Sequence, residues 1–169
     1  MKTLYISDLD GTLLTPEPRL TPFTRSTLNE LRRTRGLHFS VATARTAATV
    51  DVLLEGLETG APCVLMNGAC VYDLSERRYL RVETFPVSAI LPVLRAHGLA
   101  GFAFAVRGGA LVTCYERVGS EASRVYMEDR IRGYRKRFTQ VSDLAELGDI
   151  AYYSFPDRRE RLDAAYEAL

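Results

Sequence analysis

The first 66 residues alternate short apolar runs with amphipathic ones, and no other feature of the chain narrows its fold so far. TLYIS at 3–7 is a β-prone run that stops at Asp8, where a glycine-containing loop begins. Residues 21–35 read as a helix, with Thr21 as N-cap, Pro22 at the first helical position and Gly36 as the stop. LHFSVA at 37–42 is a second strand, and 46–57 is a helix carrying Val50, Leu53, Leu54 and Leu57 on one face. CVLM at 63–66 is a third strand, ended by the turn signal Asn67-Gly68. Strand, helix, strand, helix, strand in that order implies right-handed crossovers and an α/β fold with a doubly wound parallel sheet.

The pattern changes after residue 68. Residues 69–73 and 78–84 alternate around Ser75, Glu76 and Arg77, which predicts a hairpin rather than another crossover unit. A helix follows at 88–97, with Pro92 near enough to its start to be tolerated. Strands are expected at 101–106 and 110–115, then a charged stretch to 138. A short helix near 142–147, a strand at 149–155 and a helix from 157 complete the series. The boundary falls near 82–86, giving residues 1–84 as part of an α/β core and 85–169 as an α+β module. In the last helix Leu162, Ala165, Tyr166 and Leu169 keep helical spacing to the final residue, as either a natural or a truncated domain would.

Composition removes several classes of function. Twenty-two Lys and Arg against 21 Asp and Glu leave a net charge of +1, without the basic excess of a dedicated nucleic-acid binder. No apolar run reaches the ~18 residues of a membrane-spanning helix, so no membrane partner is expected. MKTLYISDLDG carries an acid by position 8 and is not a signal peptide. Cys63, Cys70 and Cys114 form no CxxC pair, which suits a reducing cytoplasm and predicts small buried residues rather than disulfides or a zinc knuckle. RIRGYRKR at 130–137 holds five basic residues, read as a solvated face.

The chemistry concentrates at Asp8-Leu9-Asp10-Gly11-Thr12, where the first strand ends. Open parallel sheets bind ligands beyond the carboxyl ends of their strands. Period-2 alternation points Asp8 and Asp10 to one side and Leu9 to the other. Two carboxylates that close repel unless a proton or cation intervenes, and Mg²⁺ favours such oxygen ligands. Gly11 allows a tight turn whose amides line a small anion site. A helix–loop–helix calcium site fails, because Leu13, Leu14 and Thr15 occupy the positions where its further ligands belong. VATAR at 41–45 ends the second strand, so Thr43 emerges at the same edge, either as a phosphate ligand or as an N-cap. Met66-Asn67-Gly68-Ala69 ends the third, where Asn67 is either a ligand or part of a plain turn. Three consecutive parallel strands thus end in polar groups at one crevice.

DLDGTLL, TAR and NGA together resemble the haloacid dehalogenase superfamily, and within it the Cof-type phosphatases, whose cap is inserted after the third strand of a Rossmann-like core. The resemblance implies Asp8 as nucleophile and Asp10 as acid and base, with Mg²⁺ bound by Asp8 and by Asp10 through its backbone carbonyl. It implies Leu9, Gly11, Thr12, Thr43, Ala44, Arg45 and Asn67 around the phosphate of a small phosphorylated substrate, Thr12 chiefly by fixing the loop. The family also needs a lysine and a later GDxxND-like acidic motif. Here the lysines are only Lys2 and Lys136, neither suitably placed, and Gly148-Asp149 is followed by IAYYS. The expectation is therefore the first part of a core plus its cap, impaired as an enzyme by itself. The alternatives are a non-catalytic phosphate-binding or regulatory module, or a phosphotransferase or mutase using the same chemistry.

Overall fold

The computed structural model describes residues 3–167, so Lys2 and Leu169 lie outside the described residues. The chain divides between Val82 and Glu83 into two compact units.

The first unit opens with β1 (Leu4–Ser7), which pairs in parallel with β2 (His38–Val41). Between them lies α1 (Pro22–Arg35). Its limits follow from local chemistry: the Thr21 hydroxyl accepts from the Thr24 amide, and Gly36 takes a left-handed conformation (φ 65°) that ends the helix. The second helix, α2 (Ala47–Leu53), is shorter at both ends than the predicted 46–57. Its Val50 and Leu53 are buried, and Leu54 and Leu57 remain in the core although the helix has ended before them. The third strand, β3 (Cys63–Leu65), joins the parallel sheet through an isolated bridge between Ala42 and Val64. Its main pairing is antiparallel to β4 (Cys70–Asp73), which pairs with β5 (Arg78–Val82) as the expected hairpin. The Asn67-Gly68 turn thus folds β3 back onto β4.

The second unit is built on a four-stranded sheet. Its order is β11 (Tyr152–Ser154), β7 (Phe102–Arg107), β8 (Ala110–Tyr115) and β9 (Thr139–Gln140). A two-stranded pair joins β6 (Phe85–Pro86) to β10 (Asp149–Ile150). The predicted strand at 149–155 is therefore two strands in separate sheets. The predicted helix at 88–97 is a single turn followed by α3 (Leu91–Ala96), with Pro92 in its first turn. One face of β7 and β8 presents Ala103, Ala105 and Cys114 to Val87, Leu91, Leu144 and Ile150. On the other face Phe102 meets Tyr115, Tyr126 and Phe138 at centroid distances of 5.1–6.1 Å. The last helix, α5 (Arg159–Tyr166), brings Ala165 against Leu94 and Leu99.

The charged stretch before 138 contains a full helix, α4 (Glu121–Tyr134), which hydrophobic periodicity did not signal. Polar contacts define it instead. The Ser120 hydroxyl caps it by accepting from the Ser123 amide, and Arg124 pairs with Glu121 and Glu128 one turn to either side. Part of the basic run is consumed internally: Arg130 lies over the Tyr126 and Tyr134 rings and pairs with Asp129. All three cysteines are buried and free, as small apolar residues would be.

Candidate active site

β1 ends at Ser7, one residue before the acids, so strand alternation does not itself orient them. A tight loop does so. Asp8 is extended (φ −69°, ψ 161°), Asp10 is extended, and Gly11 turns the chain at φ 73°, in the left-handed region that glycine occupies without strain. Leu14 closes the loop by donating its amide to the Leu9 carbonyl at 2.9 Å. Leu9 is fully buried, while Asp8, Asp10, Gly11 and Thr12 face solvent. The burial alternation expected of the motif therefore survives, anchored by the Leu9 side chain. Thr12 Oγ1 reaches Asp8 Oδ2 at 3.4 Å, a long contact that ties the far side of the loop to the first carboxylate.

The loop after β2 is attached to its neighbours by backbone bonds. The Ala42 amide donates to Ser7 O (2.9 Å), and the Thr43 amide donates to Val64 O (3.0 Å). The turn after β3 donates back, from Met66 N to Arg45 O (3.2 Å) and from Asn67 N to Thr43 O (3.3 Å). Met66 and Asn67 both adopt φ 55°, an uncommon conformation for residues with a Cβ. Burial of the Met66 side chain and the two backbone bonds hold the turn there.

These attachments bring the three strand ends together. Asp8, Ala42, Thr43, Ala44, Val64, Asn67 and Gly68 line one open pocket of about 310 Å³. Thr43 is buried, and its hydroxyl oxygen accepts from the Arg45 amide at 3.2 Å. It thus turns the backbone after β2, although the helix N-cap is Thr46. Asp10 and Arg45 meet beside the pocket. Arg45 Nε donates to Asp10 Oδ2 at 2.8 Å and Nη2 to Oδ1 at 2.6 Å. This two-point pair joins residues 35 positions apart, and nothing in the sequence pattern signals it.

The donor set suits a hard cation. Arg45 engages both carboxylate oxygens of Asp10, so the oxygens on offer are the Asp8 carboxylate and the Asp10 backbone carbonyl, and Mg²⁺ is commonly held by one or two carboxylates with waters and substrate phosphate completing its shell. Among the described residues no group of three or more His, Cys, Asp or Glu converges as a metal site. Cys70, just beyond the turn, is buried, and burial pushes its thiol up to about 11, so it is no thiolate nucleophile. Lys136 lies in the second unit, packed over the rings of Phe104 (4.2 Å) and Phe138 (5.5 Å). Asp149 is a strand residue of β10.

An α/β unit with an acidic loop at the end of β1 and polar strand ends beside it, followed by an α+β unit, is the organisation of a haloacid dehalogenase-like hydrolase. Residues 5–163 match the model of that family, and the chain belongs to it. It is 30% identical over 146 residues to the pyridoxal phosphate phosphatase YbhA of Escherichia coli K12, covering 82% of this chain and 51% of that protein. A haloacid dehalogenase-like hydrolase from Bacteroides thetaiotaomicron superposes with a TM-score of 0.78 at 17% identity, over 100% of this chain and 63% of that one. A sugar phosphatase of subclass IIB gives 0.68 at 19% identity, over 99% and 63%. The chain spans about half the length of the E. coli relative. Among the described residues no helix is long and apolar enough to cross a membrane.

Proposed function

We propose that this chain carries the nucleophile-bearing part of a Mg²⁺-dependent phosphatase acting on small phosphorylated metabolites. One observation supports this most: Asp8, Thr43 and Asn67, from three separate strand ends, share one pocket the size of a small anion and its surroundings. Asp8 attacks phosphorus through a carboxylate oxygen, forming an aspartyl-phosphate as the ester oxygen leaves. Dividing one hard displacement into two easier ones is the usual benefit of a covalent intermediate. Asp10 gives its proton to the leaving oxygen, then takes one from the water that cleaves the acyl phosphate, regenerating Asp8. Thr43 and Asn67, with the amides of Leu9, Gly11, Thr12 and Ala44, hold the phosphate oxygens. When bound, Mg²⁺ would supply charge neutralisation at the transferring group, held by the Asp8 carboxylate and the Asp10 backbone carbonyl, which leaves the Asp10 carboxyl to move protons.

The family membership and the phosphatase relatives support the reaction type, and the sugar and pyridoxal phosphate named for those relatives support small organic phosphates as substrates. The test is hydrolysis of p-nitrophenyl phosphate with Mg²⁺ by the wild type and by Asp8→Asn. Loss of at least 1,000-fold, on the order expected for removing a nucleophile, is the predicted result; equal rates would overturn it. A second reading, a phosphate-binding module without turnover, is favoured by the pocket lining, in which the polar Thr43 and Asn67 stand beside a single carboxylate, that of Asp8. Orthophosphate binding that depends on Thr43, with no hydrolysis above the Asp8→Asn background, would establish that reading instead. Cytoplasmic residence is part of the same proposal, supported by three free, buried cysteines.

A further inference from the structure

We propose that Arg45 is a positioning residue that aims the Asp10 carboxyl, and is not a ligand of the substrate phosphate. The inference rests on the phosphatase reading and assigns Arg45 a part different from the one its sequence motif implies.

The geometry carries it. Arg45 enters the site with its backbone fixed on both sides, the amide on Thr43 Oγ1 (3.2 Å) and the carbonyl accepting from Met66 (3.2 Å). Its side chain is only 11% exposed, whereas that of Asp10 is 52% exposed. The ordered member of the pair is therefore the arginine, and the acid is the group being held. Nε and Nη2 meet the two different oxygens of Asp10 at 2.8 and 2.6 Å, which fixes the plane of the carboxyl as well as its position. A single contact would leave that plane free to rotate. Arginine alone among the basic residues has this fork; lysine would supply the charge without the orientation.

The pocket that suits phosphate points the same way. Its walls come from Asp8, residues 42–44, Val64, Asn67 and Gly68, and the Asp10–Arg45 pair stands outside that set. Two guanidinium nitrogens are committed to Asp10, so a phosphate drawn onto Arg45 would compete with the charge-assisted contact that orients the acid. An acid that protonates a leaving oxygen must lie within hydrogen-bond reach of it, so its aim matters most where the leaving group most needs a proton.

That dependence gives the experiment, run on the full chain with Mg²⁺. Wild type and Arg45→Lys are compared on p-nitrophenyl phosphate, whose leaving group departs without a proton, and on glycerol phosphate, whose leaving group requires one. If Arg45 aims Asp10, the ratio of kcat for glycerol phosphate to kcat for the aryl ester falls at least tenfold in Arg45→Lys, with KM little changed. An unchanged ratio with a raised KM on both substrates would overturn the proposal. A second measurement is independent of turnover. In the phosphate-free protein, Arg45→Met shifts the side-chain carboxyl carbon resonance of Asp10 and not that of Asp8, and orthophosphate affinity by calorimetry falls less than threefold. A tenfold loss of orthophosphate affinity with the Asp10 resonance unmoved also overturns it. If the wild type binds no orthophosphate, the phosphate site itself fails and this assignment fails with it, a result distinct from either pattern above.

Discussion

Lys136 sets burial against charge at a single residue. Its amine is buried over the Phe104 ring, and the charged group that acts on it is another cation, Arg130. Desolvation acts first and Arg130 second, and together they bring the amine from its ordinary value near 10.5 to about 7. The unfolded chain therefore binds a proton that the folded chain does not across the window from about pH 7 to 10.5. Stability rises with pH wherever the unfolded state holds more protons, so this residue contributes least below pH 7 and most near pH 10. Lys136→Met keeps the volume and removes the titration. The difference in unfolding free energy between wild type and variant is expected to move in favour of the wild type by about 4 kcal/mol between pH 6.5 and 10. Urea unfolding at four pH values measures it, and parallel pH curves for the two proteins would show that the amine is not desolvated. The same burial explains why Lys136 is a structural residue of the second unit.

At the scale of elements, glycine shows where close packing governs and where conformation does. A Cβ on Gly101 would lie 2.2 Å from the Ser154 carbonyl oxygen and 2.9 Å from Phe155 Cα, both backbone atoms that cannot swing aside. Gly101 leads into β7 where β11 pairs with it, so Gly101→Ala must push the two strands apart. Overpacking of this kind costs about 1–3 kcal/mol, and a rigid obstacle puts it at the upper end. Gly133 sits within α4, with open space where its Cβ would go and no positive φ. Gly133→Ala is expected to stabilise by about 0.5–1 kcal/mol through helix propensity. Opposite shifts in the denaturation midpoint of these two variants check the pair, and a neutral Gly101→Ala would count against the β7–β11 contact. The sequence reading succeeded where one local signal determines an element. Thr21, Pro22 and Gly36 delimit α1 without outside help, and the polar turn at 75–77 announces β4–β5. It missed α4, whose stability comes from a serine cap and arginine pairs rather than an apolar stripe, and it fused β10 with β11 because a change of sheet leaves no mark in hydrophobic alternation. In the site, motif residues carried Asp8, Thr43 and Asn67 to one pocket, while the Arg45–Asp10 pair depended on a contact across 35 residues.

For the molecule as a whole, the first unit presents a surface that its own composition marks for burial. Among the described residues β1 pairs with β2 alone, leaving its other edge open. Leu4, Tyr5 and Ile6 are 47%, 57% and 53% exposed, although consecutive apolar residues on a parallel strand normally have layers covering both faces. Phe23 and Leu31 on α1 are exposed as well, and α1 has no fully buried residue. An unprotected apolar edge is a template for pairing with another chain. The 169-residue chain is accordingly expected to self-associate as its concentration rises, and Ile6→Lys, which places a charge on that edge, should weaken the association at least tenfold. Sedimentation velocity across a hundredfold concentration range separates the outcomes. A chain that stays monomeric throughout, or one that associates equally well as Ile6→Lys, would show that this edge is not what draws copies together. Association relieved by Ile6→Lys, with the Asp10–Arg45 contact intact, would separate a fault of the open sheet from any fault of the site.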